Sequence, residues 1–74
     1  MTMHRYGSSD SCIHNGHSIH VRAISIGDAF GYVVDIRMPD GTPLPEITDD
    51  DHVFETPEIA VAEGISVGKR VAEN

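Results

Sequence analysis

The sequence predicts an α+β fold: a three-stranded antiparallel sheet, one face covered by a C-terminal helix (β-β-β-α), preceded by a flexible N-terminal arm. Three observations predict it. Apolar and polar residues alternate twice between His17 and Met38, the period of half-buried strands. Turn residues separate the two alternating runs and follow the second. A Thr-Pro-Glu start at 56–58 then opens a stretch with helical spacing.

Residues 1–16 are rich in Ser, Gly, Asp and His, lack periodic apolar positions, and read as the arm. Residues 17–74 form the single small domain. Its first strand sets Ile19, Val21 and Ala23 against Ser18, His20 and Arg22. The alternation changes parity at Ile24-Ser25-Ile26, which predicts a bulge or a strand end. Gly27-Asp28-Ala29 supplies a turn. Phe30, Tyr32, Val34, Ile36 and Met38 then share one face of the second strand, with Gly31, Val33, Asp35 and Arg37 opposite.

Pro39-Asp40-Gly41 ends that strand, and Pro43 and Pro45 mark the connection after it as no central strand. The third strand is expected at residues 52–55, with Phe54 inward and Val53 outward. Thr56 caps the helix, Pro57 suits its first position, and Glu58 lies at the positive end of the dipole. Lys69 and Arg70 complement the far end. Ala60, Gly64 and Gly68 recur every four residues on the apolar side. A helical glycine costs about 1 kcal/mol relative to alanine, so this stripe predicts close approach of the helix backbone to the sheet.

The stretch "VFETPEIAVAEGISVGKRVAEN", a short strand feeding a Thr-capped helix of pattern A-x-x-x-G-x-x-x-G-[KR], resembles small uncharacterised bacterial β-β-β-α proteins. Their layout is similar to the sheet and final helix of the double-stranded-RNA-binding domain. The resemblance spans roughly residues 17–74 and implies the fold. It brings no functional residues with it. The N-terminal helix and the basic helix start used in RNA binding are missing here, with Glu58 standing where a base would be needed.

Charge narrows the function further. Arg5, Arg22 and Arg37 balance Asp10, Asp28 and Asp35 in residues 1–37. The other nine acids face Lys69 and Arg70 in residues 38–74, so the whole net charge of −7 lies there. Such a field repels phosphate, which argues against nucleic acid and against anionic membrane surfaces. One cysteine in 74 residues allows no internal disulfide. With no apolar leader and no membrane-length apolar run, the expected location is cytoplasmic.

Chemistry is sparse. In "CIHNGHSIHV" the Asn15-Gly16 pair signals a two-residue hairpin, which would oppose His14 to His17 and set Cys12 on the same face. These three are candidate zinc ligands, with His4 or water as a fourth, although their spacing matches no recognised zinc framework. His52 beside Asp51 resembles half of an acid–base pair without a nucleophile. The Asp49–Asp51 run does not fit a calcium loop.

The expected function is therefore a non-catalytic protein-interaction module without a cofactor. It would recruit a basic protein partner through Glu46, Asp49, Asp50, Asp51 and Glu55, and exist as a monomer or weak homodimer. The alternatives are transition-metal binding by the Cys/His cluster and, weakest, RNA binding by analogy of fold.

Overall fold

The computed structural model describes residues 9–49 and 51–73. The chain is α+β, and its antiparallel sheet has four strands rather than three, in the order β1-β2-β3-β4. They are β1 (Ser9–His14), β2 (His17–Ile26), β3 (Ala29–Arg37) and β4 (Ile47–Thr48), followed by the helix α1 (Pro57–Ala72).

The outermost strand, β1, corrects the expectation of an arm over residues 1–16. Residues 9–14 pair with β2 from His14↔His17 to Ser9↔Arg22; positions 1–8 lie outside the described residues. The Ser-rich segment has little strand propensity of its own. Its register is imposed by the turn. Asn15 and Gly16 both adopt positive φ, at 55° and 79°, which two-residue hairpins of the primed kind require and few other residue pairs tolerate. Cys12, opposite Ile19, then packs against the core. The outward amide of Ser11 is taken by its neighbour's carboxylate, Asp10 Oδ1, at 2.8 Å.

Strands β2 and β3 form a regular hairpin from Ser18↔Arg37 to Ile26↔Ala29. Of the bulge or strand end expected at Ile24-Ser25-Ile26, the structure has the second: the register runs unbroken and β2 ends at Ile26. Ile24 and Ile26 simply occupy the face turned away from the helix. Gly27, at φ 60°, turns the chain.

The third-strand expectation is corrected as well. Residues 52–55 contribute one bridge, Phe30↔Phe54, closed by amide–carbonyl bonds of 2.9 and 2.8 Å. The fourth strand is instead the two-residue β4, pairing Val33↔Thr48 and Val34↔Ile47. Between β3 and β4, Asp40 Oδ1 accepts the Thr42 amide, and Leu44 donates to the Ile36 carbonyl. The prolines at 43 and 45 thus lie beside the sheet without interrupting it.

The core lies between α1 and the face formed by β2 and β3. Ile19, Val21, Val34, Ile36, Ala60 and Ala72 are buried almost completely, and each branched side chain so buried contributes about 1.5–3 kcal/mol. The small-residue stripe faces the sheet. A Cβ at Gly64 would stand 2.5 Å from Val21 Cγ1 and 3.2 Å from Tyr32 Cβ; one at Gly68 would stand 2.7 Å from Ile19 Cγ2. Those separations leave no room for a methyl group, so the two glycines set how closely helix and sheet approach.

The ends of the helix are closed differently. Thr56 Oγ1 accepts the Ile59 amide at 3.1 Å. At the far end, the Glu73 amide donates to the Lys69 and Arg70 carbonyls. The side chain of Asn15, from the β1–β2 turn, donates to the Ala72 carbonyl at 2.9 Å.

Candidate functional site

Packing α1 on β3 leaves a groove of about 350 Å³ along their seam. Tyr32 enters it from β3. Phe54 is placed there by its bridge to Phe30, and the turn before it brings Asp49 and His52. The helix contributes Glu63, Val67 and Arg70, spaced i, i+4 and i+7 and therefore on one face. Tyr32 and Phe54 form an aromatic wall, with ring centroids 6.3 Å apart and planes tilted by 32°.

Asp49 organises the turn. Its Oδ1 accepts the Asp51 amide at 2.9 Å, and its Oδ2 accepts from His52 Nδ1 at 2.7 Å. The acid–base pair suggested by sequence exists, but with Asp49 in place of Asp51. The hydrogen bond and charge of Asp49 hold the His52 pKa above its usual 6.5. The same bond, aided by the Asp51 amide, holds the Asp49 carboxyl below 3.8. Burial pushes the Tyr32 hydroxyl above 10.0, with the Asp49 and Glu63 carboxylates adding to it and Arg70 opposing.

Bonding of Nδ1 leaves Nε2 as the second ring nitrogen of His52, in a side chain that is 71% exposed. None of the described lining residues is a serine, threonine, cysteine or lysine. The one hydroxyl, that of Tyr32, is disfavoured as an anion.

The sequence candidates fall into two groups. Glu46, Asp51 and Glu55 are exposed and flank β4 and the following turn, while Asp49 is half-buried. Glu46 Oε2 lies 4.0 Å from Arg22, which also reaches Asp35 at 3.4 Å on the sheet face away from the helix. Asp50 is outside the described residues. Tyr32, Phe54 and Glu63 belong to the site, although the sequence pattern marks the first two only as inward-facing strand residues and gives no signal for the third. On the helix, Glu63 is exposed and Val67 half-buried, so the two mark the boundary along which the seam runs.

The candidate metal ligands are in register without converging. His14 and His17 oppose each other, and Cys12 lies opposite Ile19. Yet His14 Nε2 donates to Glu73 Oε2 at 2.8 Å, and His17 Nδ1 donates to the Asn15 carbonyl at 3.0 Å. Among the described residues, no group of three or more His, Cys, Asp or Glu side chains is placed to hold a metal ion; His4 lies outside them. Nor is any described helix long and apolar enough to cross a membrane. Compared with protein-family models, curated proteins and solved structures, the chain matches none of them.

Proposed function

We propose that the chain is a small non-catalytic interaction module that recruits a basic protein partner through the acidic surface around β4. The carrying observation is that Glu46, Asp51 and Glu55, all exposed, flank β4 and the turn after it, while the exposed Glu63 lines the neighbouring groove. Their summed field would speed encounter with a cationic surface and make the encounter depend on salt. Asp49 serves the surface indirectly, by fixing the turn that presents Asp51 and His52.

Metal binding at Cys12, His14 and His17 is less well supported, since the two histidines are engaged by Glu73 and Asn15. RNA binding is weaker still, because phosphate would meet the same acidic field. Self-association, if any, is weak in this reading, and sedimentation across concentrations checks it.

The test is an amide-shift titration with a short polybasic peptide at about 0.1 M and about 1 M salt, where the screening length falls from about 10 Å to about 3 Å. Shifts centred on residues 46–55 and 63 that vanish at high salt are expected. A silent titration at low salt, or binding indifferent to salt, overturns the reading.

A further inference from the structure

We propose that the seam groove between β3 and α1 receives a planar cationic side chain, an arginine of the basic partner. The proposal rests on the reading just given and names its central contact. The groove, at about 350 Å³, is near the lower end of the roughly 300–1,000 Å³ usual for small-ligand sites, and so suits one side chain better than a cofactor.

Its walls divide into the two kinds of surface a guanidinium uses. Phe54, half-buried beside the Tyr32 ring, offers the accessible part of that aromatic wall, on which a flat, weakly hydrated cation stacks. Glu63 offers a carboxylate with no ion-pair partner among the described residues, and Asp49 a second carboxylate already fixed in orientation. Against these two negative charges the lining sets the Arg70 guanidinium and the His52 imidazole, so it carries −1 while His52 is neutral and no net charge once His52 is protonated on Asp49.

A further polar group points to an occupant. Tyr32 is only 5% exposed. No hydrogen bond joins its hydroxyl to a described residue, yet the hydroxyl is not sealed off as a buried unsatisfied group. Tyr32 lines the groove, and its hydroxyl is the acceptor this proposal assigns to an arginine N–H. An anionic guest would face both carboxylates. A lysine would satisfy Glu63 but, as a compact and strongly hydrated charge, would gain less from the aromatic wall.

The experiment compares two peptides of equal length and charge, alternating glycine with arginine or with lysine, at about 0.1 M salt. The arginine peptide is expected to bind at least threefold more tightly and to shift the ring signals of Tyr32 and Phe54. Phe54→Leu should abolish the preference, provided its amide spectrum remains folded. Glu63→Gln, at an exposed helix position that cannot unfold the core, should weaken the arginine peptide several-fold. Asp51→Asn should weaken both peptides alike. Equal affinities, with shifts confined to residues 46–55, would overturn the groove proposal and leave the acidic-surface reading standing. Binding of neither peptide would overturn both.

Discussion

The two ends of α1 are closed by opposite means. At the N-terminus the cap comes from the adjacent residue, Thr56, with Pro57 and Glu58 completing a start signal that spans three positions. At the C-terminus the Glu73 amide closes back on Lys69 and Arg70, and a distant cap is added by Asn15, 57 positions away from the Ala72 carbonyl, with His14 reaching Glu73 beside it. The first end would tend to form in an isolated peptide. The distant cap at the second forms only once the β1–β2 hairpin exists. Between them lies the glycine stripe, which belongs to neither class: its spacing is local, but its purpose is tertiary.

That contrast can be broken at several points. The largest effect is expected from Gly64→Leu, since the new side chain must enter space held by Val21 and Tyr32. Overpacking of this kind costs roughly 1–3 kcal/mol, read from the denaturant midpoint, and unchanged stability would show that the helix can slide away from the sheet. Next comes Asn15→Ala, which forces a less tolerant residue to φ 55° and removes the bond to the Ala72 carbonyl. About 1–2 kcal/mol is expected from the two losses together. Asn15→Gly sharpens the result, because it keeps the turn and deletes only the long-range cap. If Gly proves as stable as Asn, the distant cap contributes nothing.

Thr56→Ala should cost about 1 kcal/mol at the local end, again by denaturant midpoint. Amide exchange should locate that loss in the first helical turn, whereas Asn15→Ala should also loosen β1. The smallest effect belongs to the Asp49–His52 pair, which is local like the Thr56 cap but charged and solvent-facing. Because the His52 pKa is raised, its contribution is full below 6.5 and is lost as pH rises through the raised value. Because the Asp49 pKa is lowered, its contribution is present above 3.8 and fades as pH falls through the depressed value. The pair is therefore strongest between 3.8 and 6.5. Asp49→Asn should bring the His52 imidazole titration down toward 6.5 by NMR, and an unmoved midpoint would contradict the pairing.

The same division explains what could be read in the residues. The β2–β3 hairpin, the Thr56 cap and the 60/64/68 stripe are periodic or contiguous signals, and each was legible. Strand β1 was not, because Ser9, Asp10 and Ser11 carry no strand preference and are ordered by a turn and a neighbour. Strand β4 was missed because two residues cannot show a period, and Phe54, the stronger apolar signal nearby, drew the expected strand past it. Of the site, Asp49 and His52 were visible as polar candidates. Their pairing was misassigned to the sequence neighbour Asp51, since the i,i+3 contact depends on how the turn closes. Tyr32 and Glu63 could not be joined on paper, because the seam between them is a product of docking.

The bond from Ser11 N–H to Asp10 Oδ1 bears on how the molecule behaves in a crowd. The outer rim of β1 is a six-residue ribbon that another chain could extend, the usual route to fibrils. Asp10 occupies a donor in the middle of that rim and places a negative charge where an incoming strand would have to lie. A strand arriving at that point of the rim would meet an occupied donor and a negative charge, at no cost to the core.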